Sequence, residues 1–337
     1  MKYVTLVGML AAMLLAPQNG SAAFCALRDP VQAINSLYPD SVGYKSIVRS
    51  IGADTRAAVD DRLSFTLHFN ELGRHTLYVP VDDTQRPIGI VHVRSELVGR
   101  SLVEITWSMS LDYEIVGMEF QRCRSVACRS AAISQLNELL RGKTLAEIEP
   151  LLAKLPATLK QIGVDVDSQE AAMVEASLRS AMKTLAVTEV GWHEDIGDLQ
   201  SRALVNEYLG LADPDFELQR IAVTADALLA VGRELNGDTI VDRPSIRAQA
   251  VLRDGQEVAR VVHARWRDGD DLHRFRWLIG NDGEILGIEP QRPWPASDVE
   301  SSFEFLIGET YRDKESCGSA AELAAFELTF VTAPANR

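Results

Sequence analysis

Val91-His92-Val93-Arg94, Glu104-Ile105-Thr106-Trp107 and Ile115-Val116-Gly117-Met118-Glu119-Phe120-Gln121-Arg122 occur once in this order. They return as Val262-His263-Ala264-Arg265, Phe275-Arg276-Trp277 and Ile285-Leu286-Gly287-Ile288-Glu289-Pro290-Gln291-Arg292. The offset is 171 residues at the histidines and 170 at the tryptophans and through the shared I-x-G-x-E-x-Q-R, so a single gap aligns the two sets. Residues of six chemically distinct types in one order mark a duplication. Its period far exceeds the roughly 20–50 residues of a solenoid repeat, which leaves a tandem of two related domains.

Each copy reads as a helix followed by strands. Asp29-Pro30 opens a helix carrying Val31, Ile34, Leu37 and Tyr38 at helical spacing. Residues 63–69 and 75–79 alternate with period two, and residues 89–96, 102–111 and 115–122 make three consecutive strands. In the second copy the last strand pair closes on Gly280-Asn281-Asp282-Gly283, a strong hairpin signal. Helices resume over residues 131–140, 145–159 and 168–185, the last capped by Ser168. Arg141-Gly142-Lys143-Thr144 after the first of these is echoed by Gly308-Glu309-Thr310 after a helix expected over residues 299–307. Residues 188–200, with Gly191 and Gly197, read as a linker, and residues 201–211 open the second domain with Val205 and Tyr208 as core candidates. The expected fold is α+β: two tandem homologous domains, residues 24–187 and 201–337, each an antiparallel sheet packed with helices.

The first 23 residues follow another grammar. Lys2, an apolar run from Val4 to Ala16 and the small residues Ser21-Ala22-Ala23 make a secretory signal peptide, too short to span a bilayer comfortably. The mature chain is therefore expected in the periplasm or medium, not spanning the membrane. Its formal net charge is −14, one unit more negative without the leader, which argues against nucleic acid as a partner and suits a basic one. Four cysteines (Cys25, Cys123, Cys128 and Cys317) allow three pairings in an oxidising compartment. The short Cys123/Cys128 loop is preferred, leaving Cys25 for Cys317, with a redox-active pair as the alternative.

Alternate strand residues share a face, so His92, Arg94 and Glu96 point one way and Val91 and Val93 the other. Glu119 and Gln121 share a face opposite Met118, Phe120 and Arg122. Two readings follow. The set forms an internal hydrogen-bond network in which Arg satisfies carboxylates and His bridges strands. Alternatively it walls a pocket for a flat anionic ligand, with Arg on phosphate and Trp107 or Trp277 on the ring. The polar stretch of residues 71–78, including His75 and Tyr78, either lines that pocket or is a turn. The six histidines show no metal-ligand spacing, and neither a G-x-S-x-G nor a Gly-rich phosphate loop is present, so no catalytic set is assigned.

The order Gly89, Ile115-Val116-Gly117, Gly142-Lys143 and the helix from Ser168 resembles the FMN-binding domain of exported subunits in sodium-pumping quinone reductases, Rnf-type complexes and nitrous-oxide-reductase regulators. The resemblance covers about residues 30–185 and, through the repeat, more faintly residues 201–337. In that family a D-x-x-S-G-A-T motif carries the threonine esterified to flavin phosphate. Here Asp165-Val166-Asp167-Ser168-Gln169-Glu170-Ala171 places Ala171 at that position, and Asp313-Lys314-Glu315-Ser316-Cys317-Gly318-Ser319 is the second copy's echo. The resemblance thus implies FMN, held noncovalently, in an accessory electron-transfer protein with a redox or membrane-complex protein as partner. The residues implied are His75, Tyr78, His92, Arg94, Trp107, Gln121 and Arg122, and in the second domain His263, Arg265, Trp277, Gln291 and Arg292. The rival expectation is a cofactor-free partner-binding or assembly protein on a degenerate version of the same fold.

Overall fold

The computed structural model describes residues 29–68, 71, 73–99, 101–223, 245–268, 271–290 and 306–310. The leader, Cys25, Cys317, Gln291, Arg292 and most of the helix expected over residues 299–307 lie outside these. Strands β1 (Gly43–Ile51), β2 (Gly73–Val81), β3 (Ile90–Val98), β4 (Ser101–Met109) and β5 (Ile115–Arg122) pair in sequence order, each antiparallel to the last. The short β3–β4 and β4–β5 turns impose antiparallel neighbours there, whereas β1 reaches β2 through α2 and a loop. Helix α1 (Val31–Leu37) packs on one face, where Ile34 and Tyr38 meet Tyr78, Val91 and Val93. The other face is covered by α2 (Ala53–Asp60), α3 (Ala131–Leu140), α4 (Leu145–Ala153), α5 (Leu155–Gln161) and the long α6 (Gln169–Gly191). Ser168 caps α6 as expected, accepting from the Ala171 N–H at 3.1 Å.

The second unit repeats this plan. Helix α7 (His193–Leu209) precedes β6 (Glu217–Ile221), β7 (Ser245–Arg253), β8 (Gln256–Asp268), β9 (Asp271–Gly280) and β10 (Ile285–Pro290), again an antiparallel meander. The likeness reaches individual backbone bonds. Ile115 N–H donates to Lys143 O (3.0 Å) and Gly142 N–H to Ile115 O (2.7 Å). Ile285 N–H donates to Glu309 O (2.9 Å) and Gly308 N–H to Ile285 O (2.8 Å). Gly142 and Gly308 have φ of +73° and +87°, which is why both copies keep glycine at that turn.

Strand pairing corrects the alignment of the histidines. His92 stands opposite Trp107 across β3 and β4, whereas Val262 stands opposite Trp277 across β8 and β9, and His263 faces Arg276. The structural offset is therefore that of the tryptophans. A slip of one residue moves a side chain to the other face of a sheet. His92 accordingly faces α6, whereas His263 lies under α7, and the residues equivalent to His92 and Arg94 are Val262 and Ala264.

Three local expectations change. Residues 63–68 are not a strand, because β1, unread in the sequence, already occupies the edge of β2; Leu67 is instead a buried loop residue whose N–H donates to Asp60. Residues 188–200 are helical except at Trp192, so the linker is a tight bend between α6 and α7. Trp192 and Ile196 are buried there, and the Trp192 indole donates to Ile47 O at 3.3 Å. Gly197 acts as a contact glycine, since a Cβ there would lie 2.0 Å from Arg247 Nη1. Third, residues 145–159 divide into α4 and α5 at Lys154.

Gly89 shows how closely α1 lies on its sheet. A Cβ there would fall 2.2 Å from the Tyr38 hydroxyl, which donates to Met109 O at 2.7 Å. Gly89→Ala must displace a buried, hydrogen-bonded phenol. It is expected to cost about 1–3 kcal/mol in urea unfolding, and an unchanged midpoint would contradict this packing.

Candidate functional site

Four of the predicted residues meet on the α6 face of the first sheet. His92, Arg94 and Trp107 come from paired strands β3 and β4, and His75 from β2. All four are buried, Trp107 to 0% exposure and Arg94 to 2%. The partner surface is a polar stripe on α6, in which Ser177, Ser180, Thr184 and Thr188 recur at helical spacing and are buried. Trp107 Nε1–H donates to Ser180 Oγ at 3.0 Å, and His92 Nδ1 lies 2.9 Å from Thr188 Oγ1. Arg94 pairs with Glu71, and Lys183 binds both Glu71 (3.1 Å) and Glu96 (2.9 Å). His75 Nε2 lies 2.9 Å from Glu71 O, and the two imidazoles meet edge to face at 5.7 Å.

Two carboxylates and two cations are thus enclosed together. Burial pushes the Glu71 carboxyl up, but Arg94 and Lys183 more than reverse this and hold it below the usual glutamate range. Burial dominates at Glu96, which is raised although Lys183 and Arg94 oppose it. Burial first, then Arg94, lowers His75 to about 4. His92 is likewise lowered well below the ordinary histidine value, by burial first and then by His75 and Arg94. Both imidazoles are neutral at pH 7, and the arrangement is an internal charge network with neutral histidines at its flank.

The remaining predicted residues do not join them. Tyr78 lies on the opposite face, where its hydroxyl donates to Asp29 at 2.9 Å and its ring meets Tyr44. Gln121 is the extra residue of a β-bulge, between Phe120 opposite Ile105 and Arg122 opposite Glu104. It accepts from Thr106 Oγ1 at 3.3 Å and lines a groove of about 360 Å³ beside the Cys123–Cys128 disulfide, a bond the sequence anticipated. Arg122 is exposed. In the second sheet Trp277 is buried with Val262, Ala264, Phe275 and Ile279, an apolar face where the first sheet is polar. His263 lies 2.9 Å from Ser201 Oγ on α7, its pKa well lowered by burial and then by Arg247 and Arg276. Arg265 lies on β8 opposite Arg274.

No family model, curated protein or solved structure matches the chain. The flavin expectation is therefore tested on the geometry alone, and the residues do not fit the group. Trp107 has no free face, the guanidinium assigned to phosphate is paired to Glu71, and Tyr78 and His92 look out from opposite sides of one sheet. Atoms without a protein hydrogen bond remain inside the network, namely His92 Nε2 and Arg94 Nε and Nη1. They are enclosed single donors or acceptors of the kind internal water satisfies.

The sequence reading missed a cleft at the junction of the two units. It is about 350 Å³ in volume and lies between the β2–β3 and β4–β5 turns, α7 and the second sheet. Arg276 of β9 spans the junction, donating to Asp112 from the first unit (2.6 Å) and to Glu289 from β10 (3.2 Å). Gln200 of α7 adds bonds to Leu111 O (2.8 Å) and Asp112 (3.0 Å). Among the described residues there is no cluster of His, Cys, Asp and Glu fit to hold a metal and no helix long and apolar enough to cross a membrane.

Proposed function

We propose that the chain is a cofactor-free, exported partner-binding or assembly protein, built on a duplicated meander that resembles the FMN-binding domain in its order of parts. One observation carries the reading: the side chains that would hold the flavin are buried and each is already engaged by a protein group. Trp107 donates to Ser180, Arg94 is paired with Glu71, and His92 is bonded to Thr188 beneath α6. Opening that seam to a ring system would expose three ion pairs and break the two helix-to-sheet bonds of Trp107 and His92. The polar groups of the first unit thus serve to seat its longest helix. Export is supported by the leader grammar and by the Cys123–Cys128 disulfide, which suits an oxidising compartment. The acidic chain favours a basic partner.

Titration of the purified mature protein with FMN tests this. The expected result is no quenching of flavin fluorescence and no rise in melting temperature, because a ligand absent from the native state cannot stabilise it. Saturable quenching with a matching thermal shift, abolished in Trp107→Phe, would overturn the reading in favour of a noncovalent flavoprotein.

A further inference from the structure

We propose that the cleft between the two units receives an alkyl-ammonium group, presented by a lysine side chain of a partner protein. The inference rests on the partner-binding reading and names the chemistry that reading lacks.

The cleft lies at a seam between domains, one of the favoured places for a binding site, and its volume of about 350 Å³ is in the range of small-ligand sites. Both guanidinium groups in its wall are committed. Arg276 is held by Asp112 and Glu289, and Arg86 by Glu207. The carboxylates are not used up. Asp82 spends Oδ1 on the turn that follows it, accepting from Thr84 N–H (3.0 Å), Thr84 Oγ1 (2.8 Å) and Arg86 N–H (2.9 Å). This fixes the carboxylate and leaves Oδ2 for a further donor. Glu289 meets Arg276 through Oε2 and leaves Oε1. With Asp82, Asp112 and Glu289 against Arg86 and Arg276, the wall retains a net negative charge and favours a cation.

Shape selects among cations. Pro87, Ile88, Leu111 and Ala203 give the wall an apolar side. An occupant with an aliphatic stem and a charged head matches both parts. Arginine is served best by two in-plane acceptors on one carboxylate, whereas here the free oxygens come singly from two residues. A compact ammonium with three rotatable donors fits that arrangement. The acidity of the whole chain steers a basic partner toward the cleft.

The test is calorimetric titration of the full mature protein with four probes: a lysine-containing peptide, the same peptide acetylated at Nζ, blocked lysine (Nα-acetyl-lysine methylamide) and cadaverine. The lysine peptide and blocked lysine are expected to bind and the acetylated peptide not to. Glu289→Gln and Asp82→Asn should each weaken binding about tenfold, the usual scale for one charge-assisted hydrogen bond. Ala203→Leu, which fills the wall from a half-buried position on α7, should weaken it as much, while the remote Glu138→Gln should change nothing. Equal binding of the acetylated peptide, or binding unchanged in the three cleft variants, would overturn the assignment. Cadaverine binding more tightly than either lysine probe would overturn a protein source in favour of a free amine. Loss of lysine binding in an FMN-silent protein removes the cleft alone, and an FMN response with lysine binding intact removes the cofactor-free reading alone.

Discussion

Arg94→Met should lower the free energy of unfolding by about 3–5 kcal/mol, the usual cost of removing one partner from a buried ion pair. Arg94 is 2% exposed and Glu71 3%, so water cannot replace the lost guanidinium. Methionine fills much of the vacated volume, so the loss reports charge more than cavity. Lys183 still touches Glu71, but it is shared with Glu96 and cannot neutralise both. Adding Glu71→Leu should recover most of the loss, because a buried pair replaced by apolar groups of similar size is often neutral. Equilibrium urea unfolding of the wild type, the two single variants and the double variant measures the coupling directly. A loss below about 1 kcal/mol for Arg94→Met would mean that the pair is wetter or looser than its geometry.

The second large effect is an early loss of stability in acid. His75 and His92 are buried and His263 is half-buried under α7, and all three have folded-state pKa values below the ordinary histidine value of 6.5, His75 at about 4. Between the folded and unfolded values the unfolded chain binds more protons, so stability rises with pH and falls as pH drops through 6.5 toward 4. Each such histidine contributes a slope of up to about 1.4 kcal/mol per pH unit. Glu71, held low, adds a further loss only below the usual glutamate range. Glu96 acts in the opposite sense: its raised carboxyl takes up a proton in the folded state first, which offsets part of the histidine slope. The net expectation is a decline beginning near pH 6.5, well above the point where carboxylates alone would act. Urea midpoints across pH 4–8 check it, and His75→Phe with His92→Phe should flatten the limb. A midpoint constant from pH 7 to pH 5 would contradict the buried neutral state.

The duplicated strands were legible because a strand's pattern is local: alternation and turn residues identified β2 to β5, and the tryptophans and I-x-G-x-E-x-Q-R set the true offset. The histidines misled because they differ by one position, which sequence alignment absorbs as a gap and a sheet converts into opposite faces. Strand β1 was missed since its burial alternates poorly, Lys45-Ser46 and Val48-Arg49-Ser50 being exposed at the sheet edge. Gly191 and Gly197 suggested a linker because glycine breaks helices on average, whereas Gly197 sits inside α7 with the Arg247 guanidinium packed against it.

The same division holds for the site. That His92, Arg94 and Glu96 share a face followed from strand period alone. Whether that face met solvent, a ligand or protein depended on α6, whose Ser180, Lys183 and Thr188 lie some 90 residues away in the chain. A visible trace existed in the Ser177, Ser180, Thr184 and Thr188 stripe, polar at the spacing normally kept for apolar contacts.

By itself, then, the order of residues determined a duplicated α+β chain, its strand faces and the acidic balance, and favoured the Cys123–Cys128 link among three pairings. Tertiary structure alone decided that the face of His92 and Arg94 is sealed by a helix and that a cleft opens at the junction, where Arg276 meets Asp112 across 164 residues of chain. The physical reason is one of range: strand period and turn chemistry act over a few residues, whereas burial and charge pairing depend on which distant segment arrives to cover a surface.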